Sequence, residues 1–139
     1  MESKDYYRDL GMACASMMQS KVRRHFPLTS LVHWVRPAIL LNQIRFFTDL
    51  SGQLAGYVTW ASLSEETEKR WIDDPDTPFR ICEWNEGDRL WIIDMVVLNG
   101  DLRRLMRQCK HFLSNFREAK SLRRQFDGSV RKITTWKLS

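Results

Sequence analysis

Apolar side chains first recur at helical spacing. Leu10, Ala13, Met17 and Met18 share one face between Tyr6 and Val22, with no proline between them, so that span is predicted as a helix. His25-Phe26-Pro27 ends it, because the residue before a proline avoids the helical region. Thr29 or Ser30 is placed to cap a short second element through Val35, which Pro37 closes. From Ile39 to Thr48 the chain is apolar and aromatic. Asp49-Leu50-Ser51-Gly52 is turn chemistry, and Leu54 to Ala61 is a second β-rich run. Two such runs about a short Asp/Gly turn predict an antiparallel hairpin. Ser64 is a candidate N-cap for the next helix, with acids in its first turn. Asp73-Asp74-Pro75-Asp76 and Pro78 read as loop.

Asp88 to Leu98 is predicted as the next strand, and Asn99-Gly100-Asp101 as a turn that starts a helix. Leu102 to Asn115 is amphipathic, with Leu102, Leu105, Met106, Cys109 and Phe112 or Leu113 inside. Arg103, Arg104, Arg107 and Lys110 lie mostly outside. A short strand is expected near Phe116 to Ala119, and the β-branched stretch Val130 to Trp136 is a final strand. The order of elements predicts an α+β fold, or a mixed α/β one, with an antiparallel sheet flanked by helices.

A length of 139 residues suits one compact domain, taken as residues 1–139. The 43% hydrophobic and 28% charged content excludes a disordered chain. No apolar run approaches the ~18 residues of a membrane-spanning helix. Met1-Glu2-Ser3-Lys4-Asp5 is too acidic and polar to begin a secretory signal. The net charge of +5 favours acidic partners without naming one. Cys14, Cys82 and Cys109 are odd in number and form no CxxC pair, which argues against a zinc site and a disulfide framework and fits a reducing cytosol.

Asp94 is the candidate for chemistry. It is a lone carboxylate within Trp91-Ile92-Ile93-Asp94-Met95-Val96-Val97. Burying a carboxylate costs several kcal/mol unless it is paired. Asp94 is therefore either an orienting or acid/base group, or an edge-strand side chain in water. His25 follows Arg23-Arg24 and is either a general base or an exposed bystander. His33 and His111 read as bystanders, and the three histidines lack metal-ligand spacing. Glycine-rich phosphate loops and nucleophile elbows are absent. The stretch Lys120-Ser121-Leu122-Arg123-Arg124-Gln125 and the basic helix invite a nucleic-acid reading, with Phe112, Phe116 and Phe126 as stacking partners. No RNA- or DNA-binding signature accompanies them, so a solvated basic face, or a patch for an acidic carrier protein, is the simpler reading.

The chain resembles the RTX toxin-activating lysine acyltransferases, the family of the haemolysin activator. The resemblance runs almost end to end. It begins with Leu10-Gly11, Ser20 and Pro27. It continues through Pro37-Ala38-Ile39, Asn42-Gln43, Tyr57, Trp60-Ala61 and Leu63-Ser64. Its sharpest part is Gly87-Asp88-Arg89, Trp91, Ile93-Asp94 and Gly100-Asp101. This implies a fold similar to the Gcn5-related N-acetyltransferases, a mixed, mainly antiparallel sheet with flanking helices, often as a dimer. It also implies transfer of a fatty acyl group from an acyl carrier protein thioester to a lysine of a protein or peptide toxin in the cytosol, with no bound cofactor. The family's catalytic aspartate falls on Asp94 and an assisting serine on Ser20. Its histidine position, four residues before the proline, is Arg23, and His25 lies two residues further on.

Three readings follow. In the first, His25 serves as base with Asp94 orienting it, Ser20 assists, and Arg23, Arg24, Trp60 and Arg89 bind substrate. In the second, the chain resembles small relatives in siderophore-microcin clusters, which with a second protein join a siderophore to a peptide's C-terminus. Arg23 would then bind a catecholate or carboxylate. In the third, it is a non-catalytic module that holds a toxin precursor. None of the three requires nucleic acid or a transmembrane segment.

Overall fold

The computed structural model of the chain describes residues 4–98, 100, 102–124 and 130–138. Five strands, β1 (Ile44–Thr48), β2 (Leu54–Leu63), β3 (Arg89–Val97), β4 (Glu118–Arg124) and β5 (Val130–Lys137), form one sheet in sequence order. Every neighbouring pair is antiparallel except β3 and β4, which run parallel. Helices α1 (Lys4–Gln19), α2 (Arg36–Leu40) and α3 (Glu65–Asp73) come before β3, and α4 (Leu102–Phe112) joins β3 to β4. This is the expected mixed, mainly antiparallel sheet with flanking helices. A parallel pair needs a long crossover, and α4 supplies it.

The sheet separates two apolar layers. On one face Ala13 and Met17 of α1 and Ala38 and Ile39 of α2 pack with Tyr57, Trp71, Trp84 and Trp91. On the other, Leu105, Met106 and Cys109 of α4 pack with Val58, Leu90 and Ile92. The alternation of strand residues between these layers is the two-residue period of a sheet buried on both sides.

Local chemistry sets several boundaries. Asp49 Oδ1 accepts from the Ser51 amide at 2.9 Å and the Gln53 amide at 3.0 Å, which closes the β1–β2 turn. Ser64 caps α3 by accepting from the Thr67 amide at 3.2 Å. Other boundaries differ from the sequence pattern. Pro37 does not close an element but sits in the first turn of α2, where its missing N–H leaves no helical bond unmade. Ile39 and Leu40 are accordingly helical, and β1 begins only at Ile44. Met18 does not share the buried face with Met17 and is 71% exposed; the two lie ~100° apart on the helix. The strand expected near Phe116 to Ala119 instead spans Glu118–Arg124 and takes in most of the basic stretch. Gln125 of that stretch and the stacking candidate Phe126 lie outside the described residues, as do Asn99 and Asp101 of the turn.

Two buried glutamates tie the loop side of the sheet together. Glu68 on α3 accepts from Trp91 Nε1 at 2.7 Å and from Arg89 Nη1 at 2.8 Å. Glu83, in a short turn at Ile81–Trp84, accepts a bidentate pair from Arg70 at 2.8 and 3.1 Å and a bond from the Arg80 amide at 2.7 Å. Burial alone would raise the Glu83 pKa, but those donors overcome it and lower it to about 2. Its folded pKa therefore lies below its unfolded value, so its stabilisation is complete above the ordinary glutamate range and is lost as pH falls towards about 2. Glu83→Gln is expected to cost about 2 kcal/mol at pH 7, with the gap narrowing below about pH 4. Urea titrations at pH 7 and pH 2.5 check this; an equal gap at both would refute it.

Candidate active site

The site forms where a bulge interrupts β3. Thr59 faces Asp94 across the β2–β3 ladder and Trp60 faces Ile92, so Ile93 is left without a partner on β2. The extra residue turns Asp94 onto the face occupied by α1 and Tyr57. A bulge of this kind bends its strand and re-aims a side chain. The parallel pairing of β3 with β4 joins Trp91 to Lys120 and Ile92 to Ser121 and stops at the same point. Beyond it, no described strand lies along the outer edge of β3 from Ile93 to Val97.

Asp94 is buried, with 5% of its surface exposed, so the alternative of a solvated edge-strand side chain is excluded. Tyr57 Oη donates to Asp94 Oδ2 at 2.6 Å, and the Arg23 guanidinium forms an ion pair with Oδ1 through Nη2. The Asp94 amide donates to Thr59 Oγ1 at 3.0 Å. Burial and the neighbouring Asp94 charge push the Tyr57 phenol far up, so it stays protonated as a donor. Burial disfavours the charge on Arg23, but Asp94 outweighs that and raises the guanidinium above its usual value. Cys14 of α1 lies near enough to act electrostatically on Tyr57, and burial raises its own thiol pKa.

Arg23 is presented by a tight turn. Helix α1 ends at Gln19, and the chain makes a 3₁₀ turn over Arg23–His25. Ser20 Oγ accepts from the Arg23 amide at 3.2 Å, so this serine holds the backbone that carries the arginine. Phe26 lies extended before Pro27, and its ring centroid is 4.8 Å from the Arg23 guanidinium carbon. The Arg23 side chain is 24% exposed. His25 and Arg24 are exposed, and among the described residues no hydrogen bond or ion pair joins His25 to Asp94. In a 3₁₀ turn, two residues correspond to a rotation of ~240°, which accounts for Arg23 facing the carboxylate while His25 faces water.

The other residues singled out from the sequence lie elsewhere. Trp60 is on the opposite face of the sheet, against Phe112 at 5.1 Å and beneath Arg45 at 5.6 Å. Arg89 is at the start of β3 and is held by Glu68. Tyr57 and Thr59 were not singled out as partners of Asp94. The available signal was the alternation of β2, which places both on one face. No cluster of three His, Cys, Asp or Glu able to hold a metal occurs among the described residues. No helix among them is long and apolar enough to cross a membrane. A cavity of about 430 Å³ opens between the β1–β2 turn and α4, lined by Phe47, Leu50, Ala55, Val97 and Leu105 among others. It lies on the α4 side and includes none of Arg23, Tyr57 or Asp94. In the segment that carries Arg23, from residue 18 to residue 32, Met18, Val22, Phe26, Leu28 and Val32 are exposed, as are Lys21 and Arg24.

The model of the HlyC RTX toxin acyltransferase family matches residues 2–137. The chain is 34% identical over 101 residues to the RTX-II toxin-activating lysine-acyltransferase ApxIIC of Actinobacillus pleuropneumoniae, covering 73% of this chain and 62% of that protein. It is 36% identical over 107 residues to the leukotoxin-activating lysine-acyltransferase LktC of a Pasteurella haemolytica-like species, covering 76% and 62%. It is 30% identical over 111 residues to the protein-lysine myristoyltransferase RtxC of Kingella kingae, covering 80% and 65%. The chain thus spans a little under two thirds of the length of these relatives.

Proposed function

The chain belongs to the RTX toxin acyltransferase family, and from that premise we propose that it transfers a fatty acyl group from an acyl carrier protein thioester to a lysine of a protein or peptide toxin precursor in the cytosol. The observation that carries this reading is the Arg23–Asp94–Tyr57 cluster at the bulge, beside the stretch of β3 along which no described strand pairs. An extended thioester arm laid along that stretch would bring its carbonyl to the cluster. The exposed apolar and basic side chains of the segment that carries Arg23 support docking of an acidic, amphipathic carrier. In the transfer, the lysine amine attacks the thioester carbon, the C–N bond forms and the C–S bond breaks. The ammonium proton passes through solvent to the departing thiolate, or to His25 at the edge of the site. Both oxygens of Asp94 are already engaged, so its part is to hold Arg23.

A second reading is favoured by the arginine at the family's histidine position. An arginine stays protonated at any working pH and cannot act as a base. A subunit that, with a partner protein, attaches a siderophore to a microcin peptide would not need one from this segment.

Intact-mass spectrometry of proteins and peptides encoded beside the gene, co-expressed with and without this chain, tests both. A fatty-acyl gain on lysine that falls at least tenfold in Asp94→Asn is the expected result, and a like fall in His25→Ala would assign the proton transfer to His25 and not to solvent. A larger gain at a peptide C-terminus, dependent on a neighbouring protein and unaffected by His25→Ala, would replace it with the maturation reading. No gain on any neighbour would reject both.

A further inference from the structure

We propose that Arg23 is an oxyanion receptor: Asp94 and Phe26 fix its guanidinium so that its remaining N–H groups hold an oxygen anion on the reacting carbon. This rests on the transfer reading above and gives the arginine a catalytic part in it.

The argument begins with the donors. A guanidinium carries five N–H groups in a planar fork. Here Nη2 is committed to Asp94, the ring of Phe26 lies 4.8 Å from the central carbon, and the backbone is held by Ser20. Among the described residues no acceptor meets Nε or Nη1, while about a quarter of the side chain is open to solvent. A charged donor held on three sides with spare N–H groups loses little on binding, which is the arrangement that favours developing charge over a neutral carbonyl.

In the transfer step, the amine forms the C–N bond and the carbonyl π pair moves to oxygen. That oxyanion is held by Arg23. Its collapse restores the carbonyl and breaks the C–S bond, and the nitrogen's proton goes to the released thiolate. The same donors fit a carboxylate at the C-terminus of a peptide. The shared chemistry is an oxygen anion on carbon, and its two sources are separable by experiment.

The charged and titratable groups about Arg23 are Asp94 on β3, Tyr57 on β2, Cys14 on α1, and Lys21, Arg24 and His25 on its own segment. An arginine receptor does not titrate near neutrality, so binding through it is expected to be flat between pH 6 and about pH 8. A histidine receptor would lose its charge through ~6.5.

Calorimetry with two probes tests this on the purified chain. Methyl octylphosphonate, a tetrahedral monoanion, stands in for the oxyanion, and N-acetylglycine stands in for a peptide terminus, with N-acetylglycinamide as its neutral control. The phosphonate is expected to bind the wild-type chain with a flat pH profile. Arg23→Lys keeps a charge beside Asp94, but a single ammonium lacks the fork, so binding should fall at least tenfold in a folded protein. Arg23→His should bind at acid pH and lose binding as its imidazole deprotonates, at a pH that Asp94 raises above ~6.5. Arg103→Gln, on the exposed face of α4, should bind as wild type. Preference for N-acetylglycine over both the phosphonate and the neutral amide would support an anion receptor and move its source to a peptide terminus. Binding of neither anion, unchanged binding in folded Arg23→Lys, or a wild-type profile that falls through pH 6.5 would overturn the proposal. Absence of acyl transfer despite Arg23-dependent phosphonate binding would reject the transfer reading while leaving the receptor in place.

Discussion

Asp94→Ala is expected to destabilise the protein by about 3 kcal/mol, a large part of the 5–15 kcal/mol that holds a typical domain together. The substitution leaves two groups stranded. Tyr57, fully buried, loses the acceptor for its hydroxyl 2.6 Å away, at a cost of about 1–3 kcal/mol. Arg23 loses the charge that offsets its desolvation. Because it is 24% exposed, it can recover some hydration, so the sum stays below that of a fully buried broken pair. Tyr57→Phe alone should cost about 1 kcal/mol. Arg23→Met made in the Asp94→Ala background should cost less than in the wild type, with a coupling of at least about 1 kcal/mol. Urea denaturation of the four variants measures this cycle. Additive effects, or an Asp94→Ala loss under about 1 kcal/mol, would mean that the cluster does not act as a unit.

Gly56→Ala should be more damaging still, with an expected loss of about 4 kcal/mol or failure to fold. Gly56 has φ of +134°, a region that L side chains rarely adopt, and a Cβ built there would lie 1.8 Å from the Val96 carbonyl oxygen. That oxygen is strand backbone and cannot swing aside. Relief would require β2 and β3 to part next to Tyr57, one residue on, which spans these same strands to reach Asp94. The thermal midpoint of Gly56→Ala measures this, and Gly52→Ala gives the comparison. Gly52 also has positive φ, but a Cβ there meets nothing within 4 Å, so its cost should be limited to about 1 kcal/mol of backbone strain. Equal shifts for the two would mean that the close approach of β2 and β3 carries no energy.

How far the sequence could be read varied with the kind of information involved. Elements with a strong local signature were legible. Helix α1 showed in the spacing of Leu10, Ala13 and Met17, the β1–β2 hairpin in its Asp/Gly turn, and α3 in its Ser64 cap. Pro37 misled because proline both ends helices and opens them, and the segment before it decides which. Helix α2 is also only five residues long, so its apolar run carried no period that could separate it from a strand. The basic stretch obscured β4 because charge on the solvent side of a strand looks the same as charge on a loop.

The candidate site divides in the same way. The sequence by itself determined that an acid sits within an apolar strand and that arginine, not histidine, precedes Pro27 by four residues. It also fixed the order of residues that marks the family, because each of these is written in residue identity. Only the tertiary structure decided that Ile93 bulges, that Asp94 therefore turns towards Tyr57 and α1, and that Arg23 reaches that carboxylate while His25 faces water. The physical reason is that a bulge and the phase of a single 3₁₀ turn are set by how strands and helix pack together. A change of one residue in either moves a side chain to another face without altering the composition or period that a linear reading can detect.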